Sequence, residues 1–415
     1  MIYVNDFCKN TDSETIEAAL SHRDADGIVV LGPRRSAIDP QRDWWLIDRA
    51  VLLPENTTFV LQNCTVKLSD NCRDNFFRTA NCGHGIASPA RIRNVHLRGE
   101  GFCLLQGADH PRATGDGSKI LAHPCPYEPE DLCRMADWVA PEHTPDTVTF
   151  AERHSHTYGT DADREGVSHC GGWDNIGVLF ANVENFSVEG LTLSEYHGWG
   201  ISLEACAFGR VERIRFNACM SKVIDGLRCN IENEDGLNLR NGCHDIVVSD
   251  ITGKTGDDVV ALTAICGATY HTGGSDAFTH VMPDDWDSRE RDIYNVIIRN
   301  VIAHSDLCYT VRLLALGGAR VHDIVVDGVV DTTPPDKTHF GTFIIGDEFD
   351  EPGAISGVTI SNVVCNAQTG FHIFGHLKDA VIAQAVNRRA DTPLVTKQLE
   401  DGLINVLIRD TVTAQ

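Results

Sequence analysis

Three aspartates stand closest to chemistry in this chain. Asp235 lies in Asn233-Glu-Asp-Gly236, and Asp257 and Asp258 lie in Gly256-Asp-Asp258. Asp235 and Asp257 are 22 residues apart, with a strand-like stretch, Ile246-Val-Val-Ser-Asp-Ile251, between them. In a coiled solenoid that distance is about one turn. The three carboxylates would then stack on one outer face. Paired carboxylates are what cleavage of a glycosidic bond requires. Their clustering also separates their roles, because like charges repel and one group keeps its proton as an acid.

Such stacking needs a coil, and the sequence carries one. A six-residue pattern recurs: apolar, any, apolar, polar, small or polar, then usually apolar. It runs from Phe186 to Leu191, Ile214 to Cys219, Ile246 to Ile251 and Val296 to Val301. It continues from Ile324 to Val329, Val358 to Val363 and Val406 to Thr411. Start-to-start spacings are 28, 32, 50, 28, 34 and 48 residues. The two long intervals are expected to hold two coils each, with Ala380-Val-Ile382 inside the last. Alternation turns apolar residues inward and polar ones outward. The kink after the fourth residue reads as a tight bend between two short strands. Hairpin signals are sparse, with Asn-Gly occurring once, at Asn241-Gly242, which disfavours an antiparallel sandwich. The expected fold is all-β: a right-handed parallel β-helix (solenoid) with a short N-terminal capping helix and a long loop insertion.

Residues 1–35 are expected to form the cap and first strand. Thr11-Asp-Ser-Glu14 has the form of a capping box. Ile16, Ala19 and Leu20 give a helical apolar face, and Gly27 to Pro33 reads as the first strand. Residues 108–175 lack the periodicity and contain six histidines: His110, His123, His143, His154, His156 and His169. This insertion is expected to lie near the site. No Pro/Gly/Ser-rich linker divides the chain, so residues 1–415 read as one domain.

The chain carries 42% hydrophobic and 23% charged residues and a net charge of −24. Nucleic-acid binding rests on Lys and Arg clusters and is not expected. No run of 18 apolar residues exists, so no membrane span is expected. The N-terminus has neither a basic nor an apolar signal region. The 15 cysteines are odd in number and lack framework or zinc spacing. Reduced thiols and a cytoplasmic location are therefore expected, with neither metal nor cofactor. Homo-oligomerisation is left open.

Several segments together resemble the polygalacturonase-like glycoside hydrolases of family 28. Val51 to Leu61 is similar to their early strand pair, Gly99 to Gly107 to the next coil, and Asn182 to Leu193 to the coil before the site. Asn233-Glu-Asp-Gly236 stands where the family has Asn-Thr-Asp-Gly, and Gly256-Asp-Asp258 where it has Gly-Asp-Asp. Arg312, in Val311-Arg-Leu-Leu314, falls at its Arg-Ile-Lys motif. The resemblance implies inverting hydrolysis, with Asp258 as the general acid and Asp235 and Asp257 activating a water. It implies Arg312 as a substrate ligand. For the family's Gly-His-Gly this chain offers His271 or His280, and the family's lysine is replaced by Leu314. That loss, with the acidic net charge, points to a neutral or mixed sugar, or a modified uronide, rather than plain polygalacturonate.

His197, Trp199 and Asn233 complete the candidate substrate-binding residues. Trp199 could offer a ring to a sugar, and Asn233 could position Asp235. Each also has an ordinary structural reading, as a core ring or a turn residue. The expected function is hydrolysis of an imported pectin-like or other oligosaccharide from one end. Stacked coils about 4.8 Å apart place carboxylates near the spacing of retaining enzymes, so inversion rests on the resemblance. The rivals are a lyase or epimerase on the same scaffold and a non-catalytic carbohydrate-binding β-helix.

Overall fold

The computed structural model describes residues 1–109, 173, 176–219, 221–230, 235–266, 280–337 and 340–414, except positions 37, 38, 71, 73, 84, 87, 197, 225, 226, 284 and 285. The apolar alternation resolves into a right-handed parallel β-helix. Among the described residues, one parallel sheet has 14 strands and the other has 10. Strands from successive coils lie side by side, so each coil adds one rung to each sheet. Inward positions stack into continuous columns. Val260, Val311, Phe343, Phe371 and Val395 are successive partners in the smaller sheet, and Phe343 and Phe371 stack with ring centroids 4.9 Å apart.

The long strands of the larger sheet bend at two corners, each needing a left-handed residue. Asp245 and Asp250, Asn295 and Asn300, and Asn405 and Asp410 take φ between 53° and 59°. Asn and Asp tolerate that conformation because their short polar side chains hydrogen-bond locally. Here they also bond across coils. Asn295 Nδ2 donates to Asp245 Oδ1 at 3.0 Å and Asn300 Nδ2 to Asp250 Oδ1 at 3.1 Å. The expected bend falls at the fifth residue of the six.

Two expectations about the coils change. Ile246 pairs with Gly209 on one side and Val296 on the other. The 50-residue interval is therefore one coil carrying an excursion between Val260–Ile265 and Ile293–Ser305. The 48-residue interval does hold two coils, because the strand Leu377–Asn387 lies between Ile355–Cys365 and Leu403–Thr413. Ile214 is the partner of Ile251, not of Ile246. Its pattern is shifted one corner along because Arg213, at φ 55°, occupies a corner where Asn or Asp would have been recognisable.

The α-helix Asp12–Ser21 closes the N-terminal end, with the capping box formed in both directions. Ile16 and Ala19 are fully buried and Leu20 nearly so. The first strand is Ile2–Tyr3, which pairs with Ile28–Leu31. One antiparallel hairpin, Ser221–Ile224 with Leu227–Asn230, stands off the coil just before the first candidate aspartate. Of the 108–175 insertion, residues 108, 109 and 173 are described. Trp173 is buried, and its carbonyl accepts from Asn75 Nδ2 at 2.8 Å.

Candidate active site

The smaller sheet places the aspartates. Its strands Ile201–Glu204, Leu237–Arg240, Val260–Ile265 and Tyr309–Leu316 are neighbours, with Ile201, Leu237, Val260 and Val311 in register. Two residues before those positions stand Trp199, Asp235, Asp258 and Tyr309. They form one column at the start of the sheet. The backbone continues the ladder through it, with Gly200 N–H donating to Asp235 O, Gly236 N–H to Asp258 O and Val259 N–H to Tyr309 O at 2.8–3.0 Å. Asp235 and Asp258 thus occupy the same position on adjacent coils. The expectation of one-coil spacing describes this pair, and Asp257 sits one residue aside.

Gly236 lets the pair approach. A Cβ there would lie 2.4 Å from Val259 O and 2.9 Å from the Phe216 ring. The carbonyl cannot yield without moving the coil that carries Asp258. Gly236→Ala is expected to cost about 1–3 kcal/mol through this overpacking. It should lower turnover at least tenfold, on the order expected when catalytic groups shift by a fraction of an ångström. Thermal midpoints and rates on any accepted substrate check both effects.

Asp235 and Asp258 are 6% and 3% exposed. Asp258 Oδ1 accepts from Tyr309 N–H at 3.1 Å, and Oδ2 from Arg312 Nη1 at 3.4 Å. Asp235 Oδ2 accepts from Asn238 Nδ2 at 3.0 Å. Asp235 Oδ1 is buried without a hydrogen-bond partner among the described residues. Asp257 is half-buried, and its Oδ1 accepts the N–H of Asp258 at 2.9 Å. Burial drives the Asp235 carboxyl well above the ordinary range, and the neighbouring Asp257 and Asp258 push it further. Burial also raises Asp258, to about 7, with Arg312 opposing and Asp257 adding to the rise. Both carboxyls therefore hold a proton more tightly than an exposed aspartate does.

Alternation decides what else faces outward. One line of outward positions runs Ser202, Asn238, Ala261, Arg312, Ile344, His372. A second runs Glu204, Arg240, Thr263, Leu314. Asn238 and Arg312 in the first line hold the two carboxylates. Leu314 is buried with Ile265 and Leu316.

The second line carries a buried polar cluster that spacing did not reveal. Glu204 is 1% exposed and Arg240 fully buried. His280 bridges them, with Nδ1 2.8 Å from Glu204 Oε1 and Nε2 2.9 Å from Arg240 Nη2. Arg240 can only donate, so Nε2 accepts and the Nδ1 proton goes to Glu204. Glu204 also accepts the N–H groups of Val281 and Met282, at 2.9 and 3.3 Å. The Arg240 guanidinium lies 4.5 Å from the Trp199 ring centroid.

These contacts correct two expected substrate contacts. Trp199 is 7% exposed and packed with Cys82, Trp173, Ile176, Leu179 and Ala181. It is a core ring under a guanidinium rather than an open sugar platform. His280 has both ring nitrogens engaged inside the protein. Asn233, His197 and His271 lie outside the described residues. Among the candidate binding residues that are described, Arg312 is placed against a candidate carboxylate. The missed residues Asn238 and Tyr309 lie three residues after Asp235 and three before Arg312. That proximity was the only signal for them.

Asp257, Asp258 and Cys308 bring ligand atoms within 4.8 Å of one another. Burial, with Asp257 and Asp258 nearby, drives the Cys308 thiol well above its ordinary range.

No family model matches the chain, and no curated protein matches it. Solved structures do. The polygalacturonase of Erwinia carotovora ssp. carotovora is similar with TM-score 0.52 and 13% identity, over 99% of this chain and 94% of that one. A tailspike protein double mutant of E. coli bacteriophage HK620, in complex with pentasaccharide, is similar with TM-score 0.60 and 11% identity, over 100% of this chain and 67% of that one. Identities this low establish the fold and nothing finer. The chain has a polygalacturonase-like parallel β-helix fold.

Proposed function

We propose that the protein is a glycoside hydrolase acting on an oligosaccharide, with Asp235 and Asp258 as its acid–base pair and Asp257 beside them. The observation that carries this reading is the Asp235–Asp258 column, two buried carboxyls in register on adjacent coils with raised proton affinity. A raised carboxyl is the acid that a glycosidic leaving oxygen needs at neutral pH. Arg312, donating to Asp258, keeps a charge beside the group as its proton leaves. The resemblance assigns the acid to Asp258 and the water to Asp235 and Asp257. Asp235 has fewer donors than Asp258, so in the free protein it holds its proton more firmly. The proton therefore belongs to the pair until substrate distinguishes them. Leu314, where family 28 has lysine, supports a neutral or mixed sugar or a modified uronide over plain polygalacturonate.

The test is a screen against neutral and acidic oligosaccharides, with proton NMR of the first anomer released. Inversion is expected, with products shortened from one end. Retention would remove the inverting assignment, to which the strand spacing of about 4.8 Å between adjacent coils runs counter. An unsaturated, ultraviolet-absorbing product or chelator-sensitive turnover would replace hydrolysis with a lyase reading. Polygalacturonate cleaved as fast as any neutral substrate would remove the sugar preference.

A further inference from the structure

On the C-terminal side of the acid pair the same outer face carries rings that the hydrolytic step does not use. Tyr309 shares the column of Asp235 and Asp258, and its hydroxyl is 2.9 Å from His372 Nδ1, two strands further on. Its ring lies 5.9 Å from that of Phe340 and 6.1 Å from that of His372. His372 meets Phe374 edge-on at 5.3 Å. Gly341 makes room for this arrangement, since a Cβ there would lie 2.9 Å from the Tyr309 ring. Tyr309 is nearly buried, His372 and Phe374 are half-buried, and Phe340 is 45% exposed. An exposed ring backed by others is an apolar surface held ready, and water is a poor partner for it.

The chemistry of this wall is specific. Rings accept the C–H face of a pyranose, and the Tyr309–His372 pair is a fixed polar edge for a hydroxyl. In the same outward line Ile344 separates Arg312 from His372. The Arg312 guanidinium donates to Asp258 at 3.4 Å. Burial lowers the proton affinity of His372.

We propose that Phe340, backed by the buried Tyr309 ring and flanked by His372, forms a sugar subsite beside the acid pair that stacks an uncharged pyranose unit of the substrate. This deepens the hydrolase reading and rests on it for the identity of the neighbouring site. It also gives a positive reason for a neutral sugar, where the missing lysine gave only a negative one.

The test measures binding apart from turnover. In an Asp258→Asn background, calorimetric titration is run with galactotetraose, xylotetraose and tetragalacturonate. At least one neutral tetrasaccharide should bind saturably and more tightly than tetragalacturonate. Adding Phe340→Ala should weaken it about five- to tenfold, the size of one lost ring contact. Tyr309→Phe, which keeps the ring and the backbone N–H, should weaken it less. In the Asp258 protein, Phe340→Ala should raise KM by a similar factor with kcat little changed, as loss of uniform binding does. Neutral affinity within twofold after Phe340→Ala, no saturable binding of either neutral probe, or tighter tetragalacturonate binding overturns the subsite. Binding with the expected pattern but no cleavage of any sugar leaves the subsite standing and removes the hydrolase reading.

Discussion

Replacing Asp258 by Asn removes turnover while leaving the β-helix folded and, above neutral pH, more stable. The catalytic loss should be at least about a thousandfold in kcat, within the range for a positioned proton donor. If Asp258 is the acid, an aryl glycoside with a good leaving group should recover much of the rate in Asp258→Asn, since such a group departs without a proton. Asp235→Asn should show no such recovery, because the attacking water still lacks its base. The reverse pattern would exchange the two roles, and more than a tenth of wild-type turnover in either variant would remove the pair from the mechanism. The stability gain follows from linkage. The folded-state carboxyl titrates near 7 against an ordinary value of 3.8. Below about pH 4 both states are protonated and nothing is lost. Between pH 4 and 7 the unfolded chain releases this proton and the native protein keeps it, so stability falls as pH rises. Three units amount to about 4 kcal/mol at most, and coupling to Asp235 and the loss of the Arg312 contact reduce the net gain. Asn keeps an oxygen for the Tyr309 N–H and carries no proton to lose. Its thermal midpoint should exceed that of the wild-type protein by on the order of 2 °C at pH 8. The two should converge at pH 4. A gap that widens on acidification would contradict the buried carboxyl.

How much of this was legible in the chain depended on how local each feature is. The coil was readable because alternation and the Asn and Asp corners repeat within six residues. Its register is hidden where one local signal imitates another. Ile214 follows a corner held by Arg213, and its pattern slid by one bend. The excursion before Ile293 left no mark that distinguished one long coil from two short ones. The aspartates were readable because Asp235 and Asp258 each sit directly before a strand, where sequence spacing becomes spatial stacking. Nothing local joins Glu204 to His280, 76 residues later, or Tyr309 to His372, 63 residues later. Each pair is made by the stacking of coils whose lengths the sequence does not give. Trp199 shows the same limit. Its place in the aspartate column was foreseeable from the register, but its burial comes from Trp173 and Arg240, which lie on other coils.

Breaking the Glu204–His280–Arg240 cluster should cost more stability than any single surface change, and the cost should depend on which partner goes. Arg240→Met removes the guanidinium from a buried charged cluster and leaves the Glu204 charge to His280 and two N–H groups, and breaking such a buried group costs up to about 3–5 kcal/mol. Burial acts to raise the Glu204 carboxyl, yet His280 and Arg240, with the Val281 N–H, outweigh it and hold the group below its ordinary 4.5. The stabilisation it supplies is therefore present above that value and lost as pH falls through the lower, folded one. The deficit of Arg240→Met relative to the wild-type protein should be full at pH 7 and shrink below about pH 4. Replacing both charges, Glu204→Leu with Arg240→Met, should recover most of the loss, because an apolar pair of similar volume avoids the desolvation of both. The Val281 and Met282 N–H groups would then lack their acceptor, which sets a residual cost of about 1–3 kcal/mol. Turnover separates scaffold from substrate contact. If the cluster only holds Trp199 and residues 280–282 in place, the double variant keeps KM within a few-fold at a temperature where it is folded. A large KM rise in a stable double variant would return His280 to the substrate. A cost under about 1 kcal/mol for Arg240→Met would mean the guanidinium reaches water, against its complete burial. The catalytic column and this cluster meet at Trp199. Trp199 precedes Asp235 in that column, so a loosened Arg240 should first be felt as a fall in kcat on warming, before the coils themselves unfold.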